Sequence, residues 1–353
     1  MFSEERKSEI DASPLKTEAF SNTLNQVMNN ALMRAIVYTK YGSPDVLELK
    51  EVERPTPKDD ELLIKVHAVS VNRSDWEALI GKPLYARIGG LLRPRRHILG
   101  SDIAGRVEMA GKNTRQFKQG DEVFGDIAEH MGGFAEYVCA RERALARKPA
   151  TMTFEEVAAF PQAAVIALQG IRDKGQVKPG QKVLINGAGG AAGTFALQLA
   201  KLYGAEVTAV DSKEKLDFMR SLGADYVIDY TREDFTKNGK LYDLILDVIA
   251  NRSVFAYRRA LKPNGSYFAV GGSMAGLFQI LFLGPWIKMS SGKNIRVLAV
   301  RPSRKDLVFV TELCEAGKIV PVIDKQYPLS EVPQALQYLG DGHAKGKVVI
   351  TIE

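Results

Sequence analysis

KVLINGAGGAAGTFALQLAKLYG, residues 182–204, decides the fold. A short strand-like segment, KVLIN, leads into a run of glycine and alanine, and TFALQLAKLYG then has the apolar spacing of a helix. Glycine permits a tight turn and the close approach of backbone to a pyrophosphate, whose charge sits on the amides at the helix N-terminus. The turn residues of interest are Ala188, Gly190, Ala191 and Gly193, and the first, second and fourth of these hold the three fingerprint positions. This stretch predicts a dinucleotide-binding strand, turn and helix.

The residue that ends the next predicted strand bears on the choice of dinucleotide. Asp211 follows EVTAV and lies 23 residues after Ala188, the position that meets the adenosine ribose in such units. Its carboxylate would accept hydrogen bonds from the ribose hydroxyls and repel a 2′-phosphate, which favours NADH. Ser212, Lys213 and Lys215 follow at once and could hold the phosphate of NADPH. A third interpretation makes Asp211 the cap of the helix predicted over 213–221.

The rhythm of the chain changes near residue 154 and predicts two domains. The earlier part contains short β-branched strands separated by turn residues, among them ELLIKVHAVSV and DIAGRVEMA, which is typical of a sandwich or barrel. The later part alternates strands with helices, which predicts a parallel sheet covered on both faces. We expect an α/β protein with a β domain over 33–157, completed by 301–353, and a doubly wound Rossmann domain with a parallel sheet over 158–300. Helices are predicted over 191–203, 213–221, 252–260, 274–289, 303–316 and 331–339, and the closing strand GKVVITI is expected to return to the β domain.

Composition excludes several classes of protein. No run reaches the roughly 18 apolar residues that a membrane span needs. The nearest run, 274–287, contains Gly284 and Pro285 and indicates a buried or interface helix, with a membrane-surface contact as the alternative. Residues 1–32 are acidic and lack an apolar signal core, so we expect a mobile extension rather than a targeting segment. The two cysteines, Cys139 and Cys314, exclude a disulfide framework and a four-cysteine zinc site, and they favour a reducing cytoplasm.

The charged residues and the histidines form no sequence cluster that predicts metal-dependent or nucleophilic catalysis. The net charge of +6 is modest, and its densest part is the loop with Arg87, Arg93, Arg95 and Arg96, which is either a solvated basic loop or a contact for a phosphate or an acidic ligand. The four histidines have no metal-ligand spacing, and no nucleophilic triad is evident. A dinucleotide site with neither metal nor nucleophile points to direct hydride transfer.

The order of elements and several local motifs resemble one superfamily over residues 33–353. The chain is similar to the medium-chain dehydrogenases/reductases, in particular to their zinc-free quinone oxidoreductase-like branch, which implies a GroES-like fold for the β domain. The motifs that carry this resemblance are MRAIVYTKYGSPDVLEL, VSVNRSD, PRRHILGSDIAG, GDEVFGD, GGFAEYV, the glycine turn, RSLGADYVIDY, LKPNGSY and HAKGKVVI.

The resemblance also implies roles for residues of VSVNRSD and LGSDIAG. The zinc alcohol dehydrogenases of the superfamily have a catalytic cysteine where this chain has Asn72 and a His-Glu pair where it has Ser101 and Asp102. These ligands are missing, so no metal is expected. In the zinc-free branch the matching residues line the nicotinamide and substrate cleft, which implies catalytic roles for Asn72 and Asp75; the alternative is that both only cap a turn at a strand end. Some relatives have a substrate-facing tyrosine where this chain has Glu77.

Four further residues are matched to cofactor contacts by the resemblance. Tyr230 resembles a tyrosine near the adenosine 2′-phosphate, which tips the expectation slightly toward NADPH over NADH, although a buried tyrosine at a strand end would look the same. Val270 and Gly271 should present backbone groups to the nicotinamide amide. Lys347 lies where a basic residue often approaches the cofactor, and a solvated lysine before a strand is the alternative.

The expected activity is hydride transfer from NAD(P)H to a quinone or an α,β-unsaturated carbonyl. The developing oxyanion would be met by hydrogen-bond donors such as the amide of Asn72. The alternatives are a zinc-independent carbonyl or alcohol dehydrogenase and a non-catalytic dinucleotide-binding protein with a structural, sensing or RNA-associated role. The resemblance implies a homodimer, for which the helix at 274–289 is one plausible contact, whereas a nucleic-acid partner is not expected.

Overall fold

A computed structural model describes residues 31–353 with the exception of Gly89. The mobile extension expected over residues 1–32 therefore lies outside the described residues, except for Ala31 and Leu32, and Leu32 already begins the first strand. The strands of the β part are β1 (Leu32–Val37), β2 (Glu48–Glu53), β3 (Glu61–Val71), β4 (Asp102–Ala110), β5 (Glu122–Asp126), β6 (Tyr137–Arg141) and β7 (Leu145–Arg147). A helix, α1 (Arg73–Ile80), follows β3 directly.

The next part of the chain alternates strands with helices. Two short helices, α2 (Phe154–Ala158) and α3 (Pro161–Leu168), lead into it. They are followed by β8 (Lys182–Asn186), α4 (Ala191–Leu202), β9 (Glu206–Asp211), α5 (Leu216–Ser221), β10 (Tyr226–Asp229), β11 (Tyr242–Asp247), α6 (Val254–Ala260), β12 (Leu261–Ala269), α7 (Met274–Ser291) and β13 (Asn294–Val297). The chain ends with α8 (Arg304–Glu315), β14 (Ile323–Pro328), α9 (Val332–Gly340) and β15 (Lys347–Thr351).

In the described part of the chain, strands β8 to β13 form one parallel sheet in the order β10-β9-β8-β11-β12-β13. This is the strand order of the doubly wound Rossmann fold, so the predicted fold class is confirmed. The apolar runs of β8 and β11 are buried on both faces because helices cover the sheet. All of these strands end at the same edge, which gathers the turn after β8 and the loops after β9, β11 and β12.

The β part is built around a mixed sheet in the order β14-β15-β3-β4-β5-β7, with β6 also paired to β3. Closing strand β15 pairs antiparallel with β3 and parallel with β14, so the prediction that it returns to the β part is confirmed. The segment that precedes β15 contributes to the cores of both sheets. Leu307 and Val310 of α8 share a core with Val183 of the parallel sheet, whereas Val332 and Leu336 of α9 belong to the core of the mixed sheet.

Three aromatic side chains connect the two sheets. Phe124 on β5 meets Phe160 edge to face at 5.3 Å between ring centroids, and Phe160 meets Phe195 on α4 at 6.5 Å. All three rings are fully buried. Such packing fixes the carboxyl edge of the parallel sheet against the end of β3, where Asn72 lies. Among the residues that the structure describes, no helix is both long and apolar enough to cross a membrane.

Candidate active site

The glycine turn joins β8 to α4 through close backbone contacts. The amides of Gly187 and Ala188 both donate to the carbonyl oxygen of Val210, at 2.9 and 3.1 Å. Gly190 is the N-cap of α4 and has extended backbone. At Gly193 an added methyl group would collide with the carbonyl oxygen of Gly187, so the helix can approach the turn this closely only because the side chain is absent.

Asp211 holds this turn with its carboxylate. Oδ2 accepts a hydrogen bond from the amide of Gly189 at 2.9 Å, and Oδ1 accepts one from the amide of Ser212 at 2.8 Å. The amide of Tyr230 donates to the backbone carbonyl of Asp211 at 3.2 Å, and the tyrosine side chain is 52% exposed, unlike the buried tyrosine considered from the sequence. Lys213 is exposed beside it. The structure thus gathers Asp211, Ser212, Lys213 and Tyr230 at the end of β9.

The loop before β15 is hydrogen-bonded to the same turn. The amide of Gly346 donates to the carbonyl oxygen of Gly189 at 2.9 Å. Lys215 is buried, and its ammonium group donates to the carbonyl oxygen of Gly342 at 2.8 Å while lying 3.6 Å from Oδ1 of Asp211. Lys215 is therefore engaged within the protein, in contrast to Lys213.

The loop after β12 approaches the loop that follows α1. The amide of Val270 donates to the carbonyl oxygen of Asp247 at 2.8 Å, and Gly271 follows with a φ of 72°. A methyl group added at Gly271 would lie 3.6 Å from the hydroxyl oxygen of Tyr85. That hydroxyl donates to Oε2 of Glu77 at 3.2 Å. Glu77 stands at the position that the resemblance matched to a substrate-facing tyrosine. The loop after α1 brings another tyrosine, Tyr85, into contact with it.

A buried polar cluster lies at the end of β3 and centres on Asn72. Lys347 Nζ donates to Oδ1 of Asn72 at 2.6 Å, and Nδ2 of Asn72 donates to the hydroxyl oxygen of Ser101 at 3.2 Å. An ammonium group can only donate, so the amide oxygen must face Lys347 and the amide nitrogen is turned away from it. Asn72 retains 4% exposure, whereas Ser101 and Lys347 have none. Asn72 is therefore the member of this trio that reaches the solvent side.

Asp102 completes the cluster behind Asn72. Both carboxylate oxygens accept from the amide of Gln162, at 3.1 and 3.2 Å, and Oδ2 lies 3.3 Å from Nζ of Lys347. Burial raises the pKa of Asp102 and lowers the pKa of Lys347, while each charge opposes the shift of the other. This fully buried ion pair holds the ammonium group against Asn72. We infer that Lys347 positions Asn72 and does not itself reach a dinucleotide.

Asp75 is fully buried one turn into α1. Its Oδ2 accepts a hydrogen bond from the amide of Asn72 at 2.8 Å, and its Oδ1 accepts one from the amide of Gly100 at 3.0 Å. These bonds cap the helix and tie it to the segment just before β4, which carries Ser101. The capping interpretation of Asp75 describes these contacts, and we infer that it also acts by positioning Asn72.

Two carboxyl groups of this region make the stability of the protein depend on pH. Burial raises the pKa of Asp75 and of Asp126 to about 7, and the charge of Asp102 adds to both shifts. A raised pKa in the folded state stabilises the protein below the unfolded pKa, and this stabilisation is lost as the pH rises through about 7. We expect the free energy of unfolding of Asp126→Asn, taken relative to that of the wild type, to rise by about 1–3 kcal/mol when the pH is raised from 5 to 8. Urea unfolding at the two pH values measures this change.

The control for this prediction is Asp217→Asn, because the side chain of Asp217 is 97% exposed. An equal gain in that variant, or no gain in Asp126→Asn, would contradict the assignment of the pH dependence to the buried carboxyl group.

Comparison with known proteins decides the family. A profile for the alcohol dehydrogenase GroES-like domain matches residues 58–150, and one for zinc-binding dehydrogenase matches residues 222–350. The 2-methylene-furan-3-one reductase of Solanum lycopersicum is 33% identical over 96% of this chain and 85% of its own length. The NADPH-dependent alkenal/one oxidoreductase, chloroplastic, of Arabidopsis thaliana is 33% identical over 97% of this chain and 85% of its own length. The chain belongs to the quinone oxidoreductase-like branch of the medium-chain dehydrogenase/reductase superfamily.

A solved structure supports the same assignment. The quinone oxidoreductase of Coxiella burnetii superimposes with a TM-score of 0.81 at 28% identity, over 91% of this chain and all of that one. The superfamily resemblance inferred from the motifs is thus confirmed, together with a GroES-like β part joined to a Rossmann sheet.

The zinc-binding dehydrogenase profile raises the question of a zinc ion, which the residues of this chain do not fit. Zinc takes thiolate, imidazole or carboxylate ligands. The chain instead offers an amide at Asn72, a hydroxyl at Ser101 and a carboxylate at Asp102 that is already paired with an ammonium group. Within residues 31–353 other than Gly89, His, Cys, Asp and Glu side chains form no group of three that could hold a metal ion.

Some functional contacts of this superfamily member have no signal in the sequence. Tyr85 lies in the loop between α1 and β4, and its approach to Gly271 joins residues from different parts of the chain. The bond from Gln162 to Asp102 spans 60 positions. The buried state of Lys347 has no clear signal either: VVI follows it directly, but a lysine before an apolar strand usually extends into solvent.

Proposed function

We propose that the chain reduces quinones or α,β-unsaturated carbonyls with NAD(P)H. The observation that carries this proposal is the amide of Asn72, which a buried lysine holds just after β3. We propose that a substrate cleft lies there, between the β part and the carboxyl edge of the Rossmann sheet. The names of the relatives support it, because they describe reductases of a furanone, of alkenals and enones, and of quinones.

The dinucleotide would be held by the glycine turn and the end of β9. The residues that fit it are Ala188, Gly190, Ala191 and Gly193 around the pyrophosphate, Asp211, Ser212, Lys213 and Tyr230 near the adenosine, and Val270 and Gly271 near the nicotinamide. Reduced nicotinamide supplies a hydride to the electrophilic carbon of the substrate. We propose that catalysis needs no metal, because amide and hydroxyl groups stand where the zinc alcohol dehydrogenases have their zinc ligands.

The protein would contribute hydrogen bonds to the oxygen of the substrate. Nδ2 of Asn72 carries two hydrogens and gives one of them to Ser101. We propose that the second meets the substrate oxygen. The hydroxyl of Tyr85 is a second candidate donor. Donors fixed in advance stabilise a developing oxyanion at little reorganisation cost. We propose that the proton comes from solvent.

We propose a preference for NADPH. Both oxygens of Asp211 are already occupied by the amides of Gly189 and Ser212, which leaves the carboxylate poorly placed to select the free ribose hydroxyls of NADH. The exposed Lys213 and Tyr230 lie at the same edge and suit a 2′-phosphate. Lys215 is excluded from this role by its bond to Gly342.

Three further assignments remain proposals. We propose domain limits of 33–157 with 301–353 for the β domain and 158–300 for the Rossmann domain, a homodimer in solution, and a cytoplasmic location. The two unpaired cysteines, Cys139 and Cys314, suit a reducing compartment. Limited proteolysis, light scattering and a fluorescent fusion test the three in turn.

The function is tested by steady-state oxidation of NADPH and NADH with an ortho-quinone, a small enone and a plain aldehyde. We expect turnover with the quinone or the enone, none above background with the aldehyde, and kcat/KM about tenfold higher with NADPH. Lys213→Glu should reduce this preference about tenfold, because it puts a carboxylate where the 2′-phosphate would lie. Lys237→Glu is the matched control on another exposed lysine of the same domain.

The outcomes separate the parts of the proposal. Tight cofactor binding without turnover on any substrate would reject the enzyme. Binding of NADH more than about tenfold tighter than NADPH would overturn the cofactor preference and leave the reaction standing. A stoichiometric zinc ion in the active protein would overturn the metal-free site.

A further inference from the structure

Helix α7 has an apolar face on each side. Its inner face, with Ile280, Gly284 and Ile287, is buried against β13 and the rest of the parallel sheet. Its outer face carries Phe278, Leu281, Phe282, Trp286 and Met289, which are 52, 64, 69, 51 and 88% exposed. Both sets recur at intervals of three and four residues, so they occupy opposite sides of the helix. The outer face is a continuous patch, in contrast to the scattered single apolar residues of an ordinary surface.

The outer face is ordered by its own contacts. Phe278 and Phe282 stack with ring centroids 6.2 Å apart and planes 14° from parallel. The guanidinium group of Arg258 on α6 lies 5.9 Å from the ring centroid of Trp286. Phe255, also on α6, is 46% exposed and extends the patch. The helix is about 27 Å long, so the patch can lie flat on a planar partner.

The charge around this patch has one sign. Between Asp247 and Asp306 the sequence contains ten lysines and arginines and no aspartate or glutamate. Three of the basic residues adjoin the patch: Arg258 stacks on Trp286, Lys288 lies on α7, and the ammonium group of Lys293 donates to the carbonyl oxygen of Arg258 at 2.9 Å. None of the three takes part in an ion pair with another described residue. An apolar patch bordered by basic groups without acidic partners is complementary to a surface that is negatively charged and has an apolar layer beneath it.

We propose that α7 docks this protein onto a membrane surface that contains anionic phospholipids. Aromatic and aliphatic side chains of a surface helix enter the boundary between headgroups and acyl chains, and basic residues contact the anionic headgroups. A second copy of the chain fits less well, because a two-fold contact through this patch would bring the basic groups of both copies together. Docking of this kind leaves the helix in the plane of the interface and requires no span.

The test is flotation of the purified full-length chain with lipid vesicles. Vesicles of phosphatidylcholine alone are compared with vesicles in which a third of the lipid is phosphatidylserine, at low and high salt. We expect binding to the anionic vesicles at least about tenfold stronger than to the neutral ones, and weakened by salt. Inorganic phosphate at millimolar concentration, as a free-anion control, should compete no better than chloride of equal ionic strength.

Variants assign the binding to α7. Phe282→Glu should weaken it at least about tenfold, because a carboxylate would replace a ring that enters the apolar boundary and would be repelled by the anionic headgroups. The double change Arg258→Glu and Lys288→Glu should also weaken it at least about tenfold. The matched controls are Leu49→Glu, an exposed apolar residue on β2, and Arg115→Glu with Lys118→Glu, an exposed basic pair in the β part. All substituted side chains are largely solvent-facing or at a helix surface, so thermal unfolding should change little.

Three results would overturn the proposal. The first is failure of the wild-type protein to bind anionic vesicles, and the second is binding that the α7 variants do not reduce more than the controls do. The third is a wild-type dimer that Phe282→Glu converts to monomer in light scattering without lipid, with no vesicle binding by the wild type. That result would make this face an interface between copies of the chain.

Discussion

Replacing Asn72 by alanine is expected to lower kcat by about 10²–10³-fold with the best quinone or enone substrate. The side chain removed is the hydrogen-bond donor that we propose for the substrate oxygen, and its amide is held in one orientation by Lys347 and Ser101. Dinucleotide affinity should change less than about threefold, because the residues that fit the pyrophosphate and adenosine lie on the turn after β8 and at the end of β9. Steady-state kinetics and a fluorescence titration with NADPH measure the two effects.

Ser70→Ala is the matched control for this prediction. Ser70 lies on β3 two residues before Asn72, is fully buried, and its hydroxyl donates to Oδ2 of Asp102 at 3.4 Å. Its loss should cost less than about fivefold in kcat. Equal losses in the two variants would show that the cluster is merely sensitive to change, and would contradict a specific role for the amide of Asn72.

Lys347→Met is expected to destabilise the protein by about 3–5 kcal/mol. The ammonium group and Asp102 are both without exposed surface, so removal of the lysine leaves a buried carboxylate with its countercharge gone. Urea unfolding measures the change in the free energy of unfolding.

The double variant Lys347→Met with Asp102→Asn separates charge balance from catalysis. We expect it to recover at least about half of the lost stability, because no unpaired charge remains. Its kcat should stay low, since Ser101 alone then holds the amide of Asn72 and its oxygen has lost the ammonium donor. Recovery of both stability and kcat would show that Lys347 has only a structural role.

The sequence was most informative where chemistry depends on local spacing. A glycine turn must follow its strand and open its helix within a few residues, so the positions of Ala188, Gly190 and Gly193 in the turn follow from spacing alone. Long strands such as β3 and β4 were predicted with their observed limits, because many β-branched residues lie between clear turns. Strands β7, β13 and β14 went unpredicted, since each is short or polar and is defined by its pairing partner.

The contacts around Asn72 could not be derived from spacing. Lys347 lies 275 positions away from Asn72, and a lysine before an apolar strand usually extends into solvent. Only the antiparallel pairing of β15 with β3, which sets Val348 opposite Val71, brings the two side chains together. The short helix α1 was also missed: Asn72 and Asp75 were expected at a strand end, and there they begin a helix instead.

The hydrogen bond between the loop before β15 and the glycine turn restricts the length of the chain at the start of β15. Gly346 supports the turn through its amide, and the next residue, Lys347, supports the amide of Asn72. Neighbouring residues thus support the turn proposed to hold the dinucleotide and the amide proposed to meet the substrate. An insertion or deletion of one residue here would put the two supports out of phase and reverse the faces of β15, so this junction should be among the least tolerant of length change in the protein.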